Sequence, residues 1–83
     1  MNYYESLAAL RQRLAAAGES GCAEVLLQAE RGGTTSSEIL AETGIVLRRL
    51  LETGAAERLQ MVADIEALDR LGRDLFKSTN PKW

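Results

Sequence analysis

The stretch from Gly32 to Gly54 constrains the fold most strongly. It has residues that can start and end a helix, and between them apolar residues repeat at a single helical spacing. Thr35 stands where it can cap a helix, and the Glu38 side chain can reach back to the cap backbone amide, which is the capping-box pattern. Apolar residues then recur at helical spacing: Ile39, Leu40, Val46, Leu47, Leu50 and Leu51. The pattern predicts one helix over about residues 36–52, at the centre of a bundle.

Gly44 interrupts this stretch and leaves a second interpretation open. In a continuous helix this glycine costs roughly 1 kcal/mol relative to alanine. If the chain breaks there instead, residues 37–43 and 46–53 become the two helices of a helix-turn-helix. The apolar stripe keeps its phase across Gly44 and no turn residues follow it, which favours the continuous helix. We then expect Gly44→Ala to be tolerated or mildly stabilising unless Gly44 makes a close helix contact.

The composition predicts an all-α protein and excludes several chemistries. The chain has 83 residues, 46% of them hydrophobic and 27% charged, with a single proline, which fits one small helical domain. It contains no histidine, so hydrolases that depend on a serine–histidine or cysteine–histidine pair are excluded, and the commonest transition-metal ligand is missing. We therefore expect no enzymatic activity and no cofactor.

The net charge and the single cysteine limit which partners and which cellular compartment the sequence is compatible with. The net charge of -2 provides no general attraction to nucleic acid or to anionic lipid. Cys22 is the only cysteine, and a lone thiol fits a reducing compartment. The first residues lack a signal-peptide pattern, and no apolar run reaches the roughly 18 residues of a membrane span. These features predict a cytoplasmic protein with no membrane partner.

Three further helices are predicted around the central one. Asn2 can cap a first helix that stops at Gly18, and Ser20 can cap a second over about residues 21–31. A last helix over about residues 55–77 carries the longest apolar stripe. The predicted fold is a small four-helix bundle built from two helical hairpins. Residues 1–77 form the single domain and residues 78–83 a flexible tail.

The central stretch resembles a known DNA-binding pattern. TTSSEILAETGI is similar to the opening of many bacterial helix-turn-helix regulators, and VLRRLLETG resembles a recognition helix. The resemblance implies DNA binding through residues 34–53, with Arg48 and Arg49 as phosphate contacts. The chain departs from the pattern after Gly44, where apolar residues replace the turn and the polar residues that enter the groove. We therefore prefer a protein without a nucleic-acid partner.

A second resemblance concerns the acidic residues of the last helix. The sequence EALD at residues 66–69 is similar to one half of the paired acidic signature of all-helical nucleotide pyrophosphohydrolases, the MazG-like family. That family implies magnesium-dependent hydrolysis. The other half of the signature is missing here, because the residue three positions after Glu38 is Ala41. Pairing of Glu66 with Arg70, and of Asp69 with Arg73, instead predicts a solvated outer face.

The cysteine and the aromatic residues each allow two interpretations. Cys22 lies near a helix start, where the helix dipole could make it reactive, but it also fits a small core position. The aromatic residues lie near the two chain ends: Tyr3, Tyr4, Phe76 and Trp83. Tyr3 and Phe76 are predicted to close the bundle. For Tyr4 and Trp83, a core role and a role as partner-binding anchors stay equally open.

The third and fourth predicted helices carry more apolar residues than one stripe needs, which predicts an interface. The candidate interface residues are Tyr4, Leu40, Ile45, Leu51, Met61, Leu71 and Trp83. A surface of this kind is typical of interaction sites, and a two-fold dimer is the commonest way to bury it. We therefore predict a protein–protein interaction module that forms a homodimer. The alternative is an immunity-type inhibitor that keeps the same surface for a different protein.

Overall fold

The computed structural model describes residues 2–79, and within this range the chain is helical without any strand. The helices are α1 (Tyr3–Ala16), α2 (Ser20–Gly32), α3 (Ser36–Glu52), α4 (Ala55–Arg58) and α5 (Val62–Thr79). The prediction of a small all-α bundle is confirmed. The number of helices differs from the prediction, because the expected fourth helix is divided into α4 and α5. Residues 80–83 of the predicted tail, including Trp83, lie outside the described residues.

Helix α1 begins and ends as its sequence predicts. The Glu5 amide donates to the Asn2 side chain at 2.8 Å, and the Asn2 amide donates to the Glu5 carboxylate at 3.2 Å, which completes a capping box. At the other end Gly18 has a φ of +84°, a conformation that glycine adopts at no steric cost. The inward face of α1 is fully buried at four positions: Tyr3, Leu7, Leu10 and Leu14.

Helix α2 differs from the prediction at its start and on its apolar face. The residue before the helix is Glu19, which makes no capping hydrogen bond, and Ser20 already lies within the helix. The cap predicted for Ser20 is therefore wrong. Leu26 is the buried residue of this helix, whereas Val25 is 55% exposed although it belongs to the predicted apolar stripe.

Helix α3 is continuous through Gly44, as the unbroken apolar phase predicts. The Thr35 side chain accepts from the Glu38 amide at 3.2 Å. The Glu38 carboxylate does not return to the cap residue; it accepts at 3.0 Å from both the backbone N–H and the hydroxyl of Thr34. Because residues 36–52 form a single helix, residues 34–53 do not form the helix-turn-helix considered above.

The break in the predicted fourth helix lies at Gln60, which has a φ of 58°. The Gln60 amide donates to the Glu57 carbonyl at 3.1 Å and the Met61 amide to the Ala56 carbonyl at 2.8 Å. These two hydrogen bonds form the Schellman motif, which ends a helix at a left-handed residue. Met61 and Ala56, which are both buried, supply the apolar contact of this motif.

The core lies between α1, α2, α3 and α5. Helix α1 packs on α2, α2 on α3 and α3 on α5, while α5 meets α1 less closely. The arrangement of these helices as two antiparallel hairpins stays a prediction. Within residues 2–79 no helix has both the length and the apolar character needed to cross a membrane.

Candidate protein-binding groove

The main candidate site is a groove between α3 and α5, closed at its base by Tyr3 of α1. It encloses about 270 Å³. Its lining residues on α3 are Leu40, Ala41, Gly44, Ile45 and Arg48, and those on α5 are Asp69, Gly72, Arg73 and Phe76. We call this surface the α3–α5 groove. Its walls are apolar and its charged residues are collected in one cluster, as in sites that bind an apolar side chain of a partner.

That cluster consists of Asp69 between two arginines. The Arg48 side chain donates to one carboxylate oxygen of Asp69 at 3.2 Å, and the Arg73 side chain lies 3.1 Å from the other. The Asp69 side chain is only 11% exposed, against 37% for Arg48 and 59% for Arg73. A buried carboxylate requires such partners. The three residues together carry one net positive charge beside the groove.

The outer-face interpretation of the acidic residues on α5 is therefore corrected in part. Asp69 does pair with Arg73 as predicted, but it is buried because Arg48 of α3 covers its other side. The predicted pair of Glu66 with Arg70 does not form; both side chains are exposed. Across residues 2–79 no three acidic or cysteine side chains lie close enough together to hold a metal ion.

Tyr3 fixes the base of the groove through a buried hydrogen bond. Its hydroxyl lies 2.7 Å from Oγ1 of Thr43, and that oxygen also donates to the Ile39 carbonyl at 2.7 Å. Because the single Thr43 hydroxyl proton goes to Ile39, Tyr3 is the donor of the shared bond. Burial raises the pKa of the Tyr3 phenol above its ordinary value. The phenol thus stays neutral and anchors α1 to α3.

Two glycines allow the side chains of the groove to lie against the helices. A Cβ at Gly72 would meet Cε1 of Tyr3 at 2.8 Å, so the aromatic ring rests directly on the α5 backbone. A Cβ at Gly44 would meet a terminal nitrogen of Arg48 at 3.2 Å. The bare backbone of Gly44 lets the guanidinium group cross the helix toward Asp69. The atoms nearest to Gly44 thus belong to a side chain of the same helix, and no second helix makes a close contact there.

The seven candidate interface residues are not all on the surface. Leu40 and Met61 are only 6% and 5% exposed, because Leu40 faces α5 and Met61 closes the Schellman turn. Leu51 is half-buried against the core. Leu40 and Met61 therefore cannot anchor a partner of the folded monomer, and their place in the predicted interface is corrected. The place of Leu51, which is partly exposed, stays a prediction.

The exposed candidates are Tyr4, Ile45 and Leu71, at 40%, 44% and 36%. Ile45 lines the α3–α5 groove, whereas Leu71 lines a second groove between α5 and α1. The Tyr4 ring packs edge-on against the Tyr3 ring, with centroids 5.8 Å apart. The exposed candidate interface residues therefore lie on more than one surface of the protein. Trp83 lies outside the described residues.

The closing role of the end-most aromatics is confirmed, and Cys22 is assigned to its core interpretation. Tyr3 is buried, Phe76 packs half-buried against the core, and both line the base of the α3–α5 groove. The Cys22 thiol packs beside the core and lies 3.7 Å from the Glu19 carboxylate, to which it donates. Burial, assisted by Glu19, raises the pKa of this thiol, so its reactive thiolate form is disfavoured.

Sequence reasoning missed two features of this site. The burial of Asp69 depends on Arg48, which lies on another helix. The residues near Asp69 in the sequence therefore could not predict it. The exposure of Leu75, at 37%, was also missed, because the residue belongs to the apolar stripe of α5. No protein-family model, no curated protein and no solved structure matches this chain.

Proposed function

We propose that this protein is a protein-binding domain that self-associates, and that the outer face of α3 beside the α3–α5 groove is its contact surface. The observation that carries the proposal is the position of Ile45. This residue is 44% exposed in the middle of α3 and lies at the rim of an apolar pocket of about 270 Å³. An exposed branched side chain beside an open apolar pocket forms a continuous surface, which a lone surface residue does not.

The residues around Ile45 favour a helix as the binding partner. Ala41 is small and exposed, so a second helix can approach α3 closely at this position. The charged residues on α3 flank Ile45 without covering it, as in interfaces with an apolar centre and a polar rim. A second copy is the simplest source of such a helix, since most soluble oligomers are symmetric homo-oligomers.

The proposal also includes a cytoplasmic location and a role without catalysis. The lone Cys22 is partly buried, and burial together with Glu19 raises the pKa of its thiol. A free thiol of this kind is compatible with a reducing compartment, and we infer a cytoplasmic location. The arginines beside the groove are bound to Asp69, which supports a structural role for them rather than a role in binding phosphate.

Sedimentation equilibrium of the purified chain at micromolar concentration tests self-association. We expect a species at twice the 9.1 kDa chain mass. Ile45→Gln removes an apolar side chain from each copy and should weaken the dimer by roughly tenfold or more. Val25→Gln is the matched control, because Val25 is also a β-branched, exposed residue inside a helix. It should leave the dimer unchanged.

Two outcomes would contradict the proposal in different ways. If Leu71→Gln, rather than Ile45→Gln, dissociates the dimer, then the groove between α1 and α5 is the contact surface. If the unaltered chain remains at 9.1 kDa at every concentration, self-association is wrong. The heterologous alternative, an immunity-type inhibitor with the same surface, then becomes the hypothesis to test.

A further inference from the structure

The outer face of α3 carries charged residues both before and after Ile45. Glu38 and Glu42 precede Ile45, and Arg49 follows it, all on the exposed side. Glu42 and Arg49 form no ion pair within residues 2–79. Glu52, which is also exposed, follows Arg49, so this face carries two acidic residues before Ile45 and one basic and one acidic residue after it.

This order of charges favours one orientation of two α3 helices. Along the axis of α3, Glu42 lies about 4.5 Å before Ile45 and Arg49 about 6 Å after it. Around the axis, both residues are rotated in the same direction from Ile45, by roughly 40–60°. In a parallel pair centred on Ile45, the two-fold axis runs along the helices, so Glu42 and Arg49 of the two copies lie on opposite edges of the contact and form no ion pair. In an antiparallel pair related by a two-fold axis, each Glu42 faces Arg49 of the second copy.

The remaining acidic residues of this face, Glu38 and Glu52, oppose the antiparallel pair, but only at the ends of the contact. Glu38 and Glu52 of the two copies come together toward the ends of the contact. The Glu38 carboxylate is already held by two hydrogen bonds of 3.0 Å to Thr34, before the start of α3. These bonds give the Glu38 carboxylate partners within its own chain. Their stabilisation of the ionised form also lowers the Glu38 pKa.

We propose that the domain forms a two-fold antiparallel α3–α3 dimer, in which Ile45 packs on Ile45 of the second copy and Glu42 pairs with Arg49 of the second copy. This inference rests on the self-association proposed above and adds its geometry. Each dimer then contains two identical ion pairs, because a two-fold interface repeats every contact. The pairs lie at the rim of an apolar contact, where charges determine orientation and partner choice.

Charge reversal tests the geometry, with association measured by sedimentation equilibrium. Glu42→Arg alone places two arginines opposite each other at both symmetric positions, and Arg49→Glu alone places two glutamates there. We expect each single variant to dimerise roughly tenfold more weakly or worse than the unaltered chain. An equimolar mixture of the two should form a heterodimer of near-normal affinity, because every pair then has opposite charges. The double variant should recover dimerisation on its own.

Glu24→Arg and Arg31→Glu are the matched controls, because they change the net charge equally at exposed positions on α2. Neither should weaken the dimer, and their mixture should gain nothing over either alone. Far-UV circular dichroism establishes that each variant remains helical, and recovery in the mixture shows independently that both chains fold.

The outcomes separate this inference from the proposed function. If Ile45→Gln dissociates the dimer while the charge variants dimerise normally, self-association through this face holds and the antiparallel geometry is wrong. The same conclusion follows if the single variants dissociate but their mixture does not associate. If the unaltered chain is monomeric throughout, both proposals fail.

Discussion

Gln60 occupies a backbone conformation that its side chain disfavours. Its φ of 58° is left-handed, which costs a residue with a Cβ roughly 1–2 kcal/mol. We expect Gln60→Gly to raise the free energy of unfolding by about 0.5–1 kcal/mol, since the flexibility of glycine in the unfolded chain offsets part of the gain. Urea unfolding measures the change. Gly54→Ala is the converse control, because Gly54 has a φ of +81° with open space around it, and it should lower stability.

Tyr3 makes the protein sensitive to alkaline pH. Burial raises the pKa of its phenol above the ordinary value of 10.0, so the folded chain holds this proton more tightly than the unfolded chain does. The resulting stability is fully present below pH 10 and is lost as the pH rises toward the folded-state pKa. Tyr3→Phe should cost about 1 kcal/mol at neutral pH through the lost hydrogen bond, and its melting temperature should decline less from pH 9 to 11.

The exposed neighbour provides the control for this alkaline effect. Tyr4→Phe leaves the buried phenol of Tyr3 and its bond to Thr43 in place. The melting temperature of this variant should therefore fall with rising pH as in the unaltered chain. An equal alkaline decline in the Tyr3→Phe variant would show that other groups cause it.

At the level of the helices, the sequence predicts α3 well and the end of α4 poorly. The apolar stripe of α3 keeps its phase across Gly44, and the helix is continuous as predicted. In the expected fourth helix, Leu59, Val62 and Ile65 also recur at helical spacing, yet the chain turns at Gln60. No glycine or proline marks this turn. Its stability comes from burying Met61, which depends on the tertiary packing.

The two helical glycines of the groove should respond oppositely to alanine. Gly72→Ala pushes a methyl group into the buried Tyr3 ring, with a contact of 2.8 Å, and we expect a loss of about 1–3 kcal/mol despite the better helix propensity of alanine. At Gly44 the new methyl meets only the flexible end of Arg48. Gly44→Ala should change the free energy of unfolding by less than about 1 kcal/mol. Urea unfolding of the two variants compares them directly; equal losses would contradict this account.

On the scale of the whole molecule, the class of fold follows from composition and period, but the site does not. The groove requires Arg48 of α3 and Asp69 of α5 to meet, and it requires the Tyr3 hydroxyl to reach Thr43. Neither contact can be predicted from neighbouring residues in the sequence, because each joins two separate helices. Ile45 could be singled out from its position outside the main stripe of α3, whereas Leu40 and Met61 could not be distinguished from it without the packing.

The order in which the helices pack has a consequence for how the chain folds. Each main pairing joins helices that are neighbours or near neighbours along the chain: α1 with α2, α2 with α3 and α3 with α5. Closing the loops between these helices therefore costs little conformational entropy. Because most contacts join residues that are close in sequence, we expect the chain to fold within roughly milliseconds or faster. Tyr3 with Thr43 and Arg13 with Asp64 join distant parts of the chain. If these contacts form after the rate-limiting step, Tyr3→Phe will accelerate unfolding in stopped-flow experiments and leave the refolding rate almost unchanged.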